Sequence, residues 1–564
     1  MTENAQSPAG SDVYEIADRY VLAYAALDPI EATDAGIAGH EDELTDFSPD
    51  ASDARDQLDR DTLRELARAP TPTDQDRIAA DVMRERLELA VALHETGEEL
   101  RALRIIGSPV QGIRSCFDLM ACDTEDDWEV IARRMERVPD SIASFETASR
   151  AGIDKGLVAA RRQALGCAAQ AATWGGEQPD VAPFFGALAA RHDGNPALHT
   201  RLEQAADAAT RAYAGLAAFL RDEYAPKADP RDPVGRERYQ LFARVFNGLD
   251  LDLDETYAWG WEELYRIEGR MRTVAERILP GESVVAVADH LDHDATRTVV
   301  GVDAFQRWNQ ELIDRTISEL EGTHFDIAPP LRRCEAMISP PGGAAAMYYT
   351  GPSEDFSRPG RTWYPTQGKT TFPLWREVST CYHEGVPGHH LQVAQVKYLS
   401  EKLSRYQRAF GFISGHGEGW ALYAERLMGE LGYLDDPAYE LGMLGAQAMR
   451  AVRVIVDIGM HLELAIPTSD RYHPGDTWTG ALALPFVIER SCEPEYFMRS
   501  EVDRYLGWPG QAISYKVGER VWLEARADAQ RRHGSGFDLK QWHSYALDLG
   551  GMGLGPLRDE LARF

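Results

Sequence analysis

Apolar residues recur at three- and four-residue spacing through most of this chain, the period of an amphipathic helix. Between 12 and about 240, the segments DVYEIADRYVLAYAAL, DRIAADVMRERLELAVALHE and PALHTRLEQAADAATRAYAGLAAFLRDEY each join an apolar stripe to Ala, Leu, Arg and Glu. Those residues are strong helix formers. Breaks at 69–74 and 225–235 supply turns through Pro and Asp. The acid-rich stretch 44-LTDFSPDASDARDQLDRD-61 reads as a solvated face and loop. Helix continues through LDETYAWGWEELYRIEGRMRTVAERIL (253–279) and VDAFQRWNQELIDRTISEL (302–320). The texture changes at 335–372. Two short apolar-aromatic runs, AAMYYT and RTWYPT, flank an irregular Gly, Pro, Ser and Asp connection and predict a β-hairpin. Helices then resume at 373–386, opened by Pro373 at its first position, and at 416–431. A long apolar helix is expected to be buried at 437–464, and a last one at 509–534 is opened by Pro509. No repeat of fixed period is present. The fold class expected is mainly α.

Composition narrows the partners. Net charge is −32, and only Lys155, Lys227, Lys369, Lys397, Lys402, Lys516 and Lys540 are lysines; the other basic residues are arginines. Phosphate backbones and anionic membranes need clustered Lys and Arg, so neither nucleic acid nor membrane is expected as a partner. An acidic, lysine-poor surface suits high salt, which fits a halophilic host; a GC-rich genome gives the same bias. There is no apolar run long enough to span a bilayer and no basic-then-apolar leader, so the cytoplasm is the expected compartment. Cys116, Cys122, Cys167, Cys334, Cys381 and Cys492 lack CxxC spacing and read as reduced thiols. Cys381, two residues before His383, faces another side of its helix and reads as a packed thiol.

Candidate chemistry concentrates in 381-CYHEGVPGHHLQVAQ-395 and 415-GHGEGWALYAERL-427. His383, Glu384, His389 and His390 fall within eight residues. Imidazole and carboxylate are the usual ligands of catalytic zinc, three from the protein and the fourth position left to water. A glutamate directly after the first histidine is the expected general base. The usual second histidine stands at i+4, whereas here His389 is i+6 and His390 is i+7. An unbroken helix would turn His389 away and carry His390 about 10.5 Å along the axis. Pro387, however, removes the amide that would bond to the carbonyl of His383, so the helix must open. A bulged turn at 385–388 followed by renewed helix returns His389 to the metal, with His390 as the alternative. Glu418, 29 residues after His389, stands at a normal distance for a carboxylate ligand on a second helix. Glu425 lies two turns further on the same face. Arg450, Arg453, Asp457 and His461 line one side of the buried helix, as a structural network beneath the site or as a substrate wall. Tyr515 could donate its hydroxyl to a developing oxyanion.

HEGVPGHHLQ, EGWALYAERL, the YYTGP–SRPG segment, VDIGMH and RYLGWPGQAISYKVG together resemble the bacterial and archaeal family of domain of unknown function 885. That family is distantly similar to the gluzincin peptidases: angiotensin-converting enzyme, thimet and oligopeptidase-A-type enzymes, and Taq-type carboxypeptidases. The resemblance implies a two-lobed helical zincin-like body with a deep central channel. It implies one zinc ion on His383, His389 and Glu418, with Glu384 as base, Glu425 as the second acidic residue and Tyr515 over the scissile carbonyl. The function expected is zinc-dependent hydrolysis of short peptides. A metal-dependent hydrolase of another amide or metabolite, or a non-catalytic relative, is the alternative. His461 or His390 would assist Tyr515; Tyr348, Tyr349, Arg361, Tyr364 and His390 would bind substrate, with Arg358 beside them, and Asp457 would support the site. The expected organisation is a disordered tail at 1–11, a helical lobe at 12–335 and a catalytic region at 336–564, acting as monomer or homodimer.

Overall fold

The computed structural model of the chain describes residues 11–178, 181–339, 346–491, 493 and 495–564. Most of the expected tail, the first residue of the AAMYYT run and Cys492 lie outside these. The architecture is mainly α, with two small sheets. Contacts divide the chain into two compact units, Gly10–Pro233 with Leu506–Trp508, and Val234–Tyr505 with Pro509–Phe564. The division therefore falls at the Pro- and Asp-rich break near 233 rather than at 335. Helices between 236 and 320 fall in the same unit as the His383 and Glu418 segments.

In the first unit, α1 (Asp12–Leu27) is capped by Ser11, whose hydroxyl accepts the Tyr14 amide. It buries Val13, Ile16, Ala17, Tyr20 and Val21 on one face. Only 44–48 of the stretch 44–61 is loop: Ser48 caps and Pro49 opens α2 (Pro49–Leu66), which takes up the rest. Its Asp59 is buried and accepts the Tyr20 hydroxyl at 2.7 Å, so one acid of the supposed solvated face works inside. Thr73 and Asp76 form a reciprocal cap on α3 (Asp74–Glu95). The core gathers on α4 (Pro196–Ala218), where Leu202, Ala209, Tyr213 and Leu216 meet Val110, Met135, Phe145 and Phe185.

In the second unit, α5 (Leu253–Ile278) packs along the buried helix later in the chain, here α10 (Pro437–Leu462). Gly260 permits the approach, since a Cβ there would stand 2.9 Å from Val454. Strand β1 (Thr298–Val300) and helix α6 (Val302–Leu320) come next. They are followed by β2 (Cys334–Ile338), β3 (Tyr348–Thr350), β4 (Gly360–Tyr364) and β5 (Thr371–Pro373). The expected hairpin is the antiparallel β3–β4 pair, with Tyr348 opposite Trp363. Strand β2 pairs in parallel with the other edge of β4. Gln306 and Gln310 of α6 cover the outer edge of β2, donating to the carbonyls of Ala336 and Cys334 at 2.8 Å. Strands β1 and β5 form the second sheet.

Pro373 is the residue before α7 (Leu374–Glu384) rather than its first member. After a break comes α8 (His389–Tyr398), then α9 (Ser414–Glu430), α10 and α11 (Ser514–His533). The last starts later than expected, with Pro509 in the turn ahead of it. The described cysteines are unpaired. No described helix is long and apolar enough to cross a membrane.

Candidate metal centre

Helix α7 ends at Glu384, and residues 385–388 make a tight turn that relaunches the chain as α8 at His389. Two features fix this turn. A Cβ on Gly388 would lie 2.0 Å from the carbonyl oxygen of His383, so only glycine fits. The indole of Trp420, fully buried on α9, donates to the Pro387 carbonyl at 2.8 Å. The result brings the rings of His383 and His389 to 4.8 Å between centroids, nearly perpendicular.

Glu418, two residues before Trp420, completes the group. Its Oε2 lies 3.4 Å from Nε2 of His383 and 3.4 Å from Nε2 of His389. Ligand atoms from the three side chains all fall within 4.8 Å of one another. Four ligands held tetrahedrally at zinc bond lengths stand about 3.4 Å apart, so these separations leave room for an ion among them. Glu418 Oε2 is buried and makes no hydrogen bond of good geometry, an expensive state for a carboxylate oxygen. The charges also favour a cation. Burial opposes charging His383, yet the Glu418 and Glu425 carboxylates beside its two nitrogens lift it to about 9. Burial likewise opposes the Glu418 carboxylate, but the His389 and His383 imidazoles hold it well below the usual range. On these observations the residues fit zinc.

The surroundings orient these groups. His383 Nδ1 bonds Glu425 Oε1 at 2.7 Å, and the other Glu425 oxygen accepts from Ser379. Arg450 lies 3.5 Å from Glu425 and helps hold it ionised against burial. Glu384 is buried, and among the described residues its carboxylate has no hydrogen-bond partner. Tyr515 reaches the group because α9 and α11 cross through glycines: a Cβ on Gly419 would fall 2.5 Å from Gly518. Its ring stacks 6.4 Å from that of His383, and the guanidiniums of Arg453 and Arg450 lie over it at 4.6 and 5.6 Å. Burial, reinforced by the Glu418 charge, raises its pKa and keeps the phenol protonated.

Residues 29–561 match the family described as bacterial protein of unknown function (DUF885), nearly the whole chain. The chain belongs to this family. Like it in fold is the crystal structure of a protein from Colwellia psychrerythraea described as a "putative lipoprotein". That structure is 20% identical, with TM-score 0.83 over 98% of this chain and 99% of the other. A protein of the same description and unknown function from Shewanella oneidensis is 16% identical, with TM-score 0.73 over 97% and 99%. No curated protein matches.

Several residues singled out from the sequence of this DUF885 chain stand elsewhere. His390 does not join His383, His389 and Glu418: its Nε2 bonds the Leu331 carbonyl at 2.8 Å and its Nδ1 the Tyr349 hydroxyl at 2.9 Å. Tyr349 therefore holds His390 in place. Tyr364 is a core residue against Phe305, without the exposure a substrate contact needs. Arg361 pairs with Glu335 at 3.1 Å across the sheet, Arg358 is exposed, and Tyr348 stacks on Trp363. His461 is fully buried with Nε2 on the Tyr505 carbonyl, which leaves it no route to a substrate. Asp457 accepts from Tyr239 and the Gly510 amide and supports the fold, not His383. Arg453 is tied to Glu501 at 2.8 Å. The helical stripe is thus structural along most of its length. Trp420 and Ser379 were not singled out. The Trp two residues after a candidate ligand was the available signal for the first; nothing in the spacing marked the second.

Proposed function

We propose that this protein is a zinc-dependent peptidase acting on short peptides. The observation that carries the reading is the buried Glu418 oxygen, 3.4 Å from an imidazole nitrogen of both His383 and His389 and without a hydrogen bond of good geometry to either. His383, His389 and Glu418 would hold the metal. Zinc there would supply a Lewis-acidic charge and draw the pKa of a bound water towards 7.

The chain's own groups then have defined tasks. Glu384, adjacent to a ligand and uncommitted, takes the proton of the attacking water and passes it to the departing amine. Tyr515, kept protonated, donates its hydroxyl to the oxygen that gains charge. Glu425 fixes the tautomer of His383 so that Nε2 is free to ligate. The ligand imidazoles are nearly buried, which suits a slender chain rather than a folded protein.

The test is hydrolysis of a mixed dipeptide and oligopeptide set by protein loaded with zinc, stripped by chelator, and reloaded. Cleavage that vanishes and returns with zinc supports the proposal. A zinc-replete protein that leaves every peptide intact removes the peptidase reading and points to a different amide substrate.

A further inference from the structure

Just ahead of α9, Phe412 presents its side chain to solvent, 59% exposed. Its ring lies 6.4 Å from that of His389, tilted by 57°. The same ring covers Gly417, the residue before Glu418: a Cβ there would fall 2.4, 2.7 and 3.3 Å from ring atoms of Phe412. Phe412 thus adjoins His389 directly and Glu418 through its chain neighbour. These two residues also form the open side of the metal group. The Glu418 and His389 side chains are 16% and 9% exposed, that of His383 only 4%. A molecule that reaches the group from solvent therefore meets it beside Phe412.

The ring is held in place by its neighbours. A Cβ on Gly411 would lie 2.1 Å from the Gln407 carbonyl oxygen, and one on Gly551 would lie 1.9 Å from that of Gly411. Ile413, on the other side, is buried. Glycines follow in α9 at 415, 417 and 419, for different reasons. Gly415 makes room for Asn247 and Leu554, and Gly419 for Gly518, so both serve packing within the fold. At Gly417 the nearest atoms all belong to the Phe412 ring. Glycine within a helix is less stable than alanine, and a ring left mostly in water gains little from burial. Single exposed apolar residues are ordinary on a surface. This one is seated on a helix glycine beside a metal ligand, where folding alone gives no return for it.

We propose that Phe412 determines specificity: its exposed ring receives a large apolar side chain of the substrate, on a residue flanking the scissile bond. The proposal rests on the peptidase reading and narrows its substrates to short peptides with Phe, Tyr or Leu at that position. An aromatic side chain meets such a ring offset or edge-on, arrangements in which the two rings attract, and apolar area is covered on both. Glycine or alanine covers little of it. Tyr515 stands by the ring of His383 and Phe412 by that of His389, so the proton donor and the apolar contact attend different members of the histidine pair.

The experiment measures binding by calorimetry, and amine release in parallel, on zinc-loaded protein with Ala-Ala, Phe-Ala, Ala-Phe, Leu-Ala and Ala-Leu. Phe-Ala or Ala-Phe should bind about tenfold tighter than Ala-Ala or better, with the corresponding leucine peptide between them. Phe412→Ala should cut that preference by about fivefold or more with zinc content unchanged, and Phe412→Trp should keep it. Gly417→Ala, which drives a Cβ into the ring, should cut the same preference while circular dichroism shows the helices intact. Equal binding of all five peptides, binding of none, or a preference untouched by Phe412→Ala would each overturn the assignment. Sedimentation reads the rival role: an oligomer that dissociates in Phe412→Ala while the peptide ranking persists would make the ring a contact between copies and overturn it too. A ranking in binding that Phe412→Ala abolishes, without amine release, would uphold the contact and defeat the peptidase reading; hydrolysis with a ranking indifferent to Phe412 would do the reverse.

Discussion

Replacing Glu425 by Gln isolates the support given to one ligand. The substitution keeps shape and volume at a fully buried position but removes the charge that accepts from His383 Nδ1 at 2.7 Å. A buried hydrogen bond to a charged group contributes about 1.5–3 kcal/mol. Carboxylates that orient a ligand imidazole typically change metal affinity by about 10–100-fold. The two figures agree, because tenfold corresponds to about 1.4 kcal/mol. Arg450 adds in the same direction: with Glu425 neutral, its guanidinium, 3.5 Å from His383 Nδ1, loses its ion-pair partner and disfavours a nearby cation. Glu425→Gln should therefore weaken zinc binding about 10–100-fold. Ser379→Ala, which removes only the hydroxyl on the far carboxylate oxygen and leaves the charge and the His383 bond in place, should weaken it less than Glu425→Gln does. Competition titration against a chromophoric chelator at constant pH reads both, with circular dichroism to show that the helices persist. Unchanged zinc affinity in a folded Glu425→Gln protein would refute the reasoning.

Three further outcomes are expected. Glu384→Gln should retain zinc affinity within a few-fold yet lower peptide turnover by about 10²–10⁴-fold; normal turnover would remove Glu384 from the role of base. Trp420→Phe deprives the Pro387 carbonyl of its buried donor, so unfolding free energy in urea should drop by about 1–3 kcal/mol, with weaker zinc binding, and an unaltered protein would mean the turn holds itself. Burial pushes Asp457 up to about 7, above its unfolded value near 4, so its stabilising contribution is complete below about pH 4 and is lost as pH rises towards 7. Denaturant titrations across that window should show a decline on the order of a few kcal/mol that is absent in Asp457→Asn, and identical pH slopes in the two proteins would contradict this.

Elements with a continuous apolar face could be read from the chain alone. Segments 253–279 and 302–320 match α5 and α6 almost residue for residue because the apolar stripe runs unbroken through each. The stretch 44–61 misled because the part of α2 within it buries Ser52 and Asp59, with the apolar Leu66 only at the far end of the helix, so periodicity in hydrophobicity cannot show its inner face. Strand β2 escaped because its partner β4 follows across a long connection, and parallel pairing leaves no turn to announce it. At the site, Pro387 between the histidines forecast an opened helix, and the structure has the turn at 385–388. Which histidine joins His383 and Glu418 could not be decided by spacing. It is settled by Leu331 and Tyr349, residues far away in sequence that occupy both nitrogens of His390. The α10 stripe is a similar case: Arg450, Arg453, Asp457 and His461 share a side, but each finds a different partner, and helical period says nothing of what covers a face.

The most direct measurement is X-ray absorption at the zinc edge on zinc-loaded protein. Two imidazole nitrogens with oxygen neighbours at about 2.0–2.2 Å are predicted, and His389→Ala should remove one imidazole while His390→Ala leaves both. A sulfur neighbour at about 2.3 Å, or an imidazole count that falls with His390 instead of His389, would contradict the account.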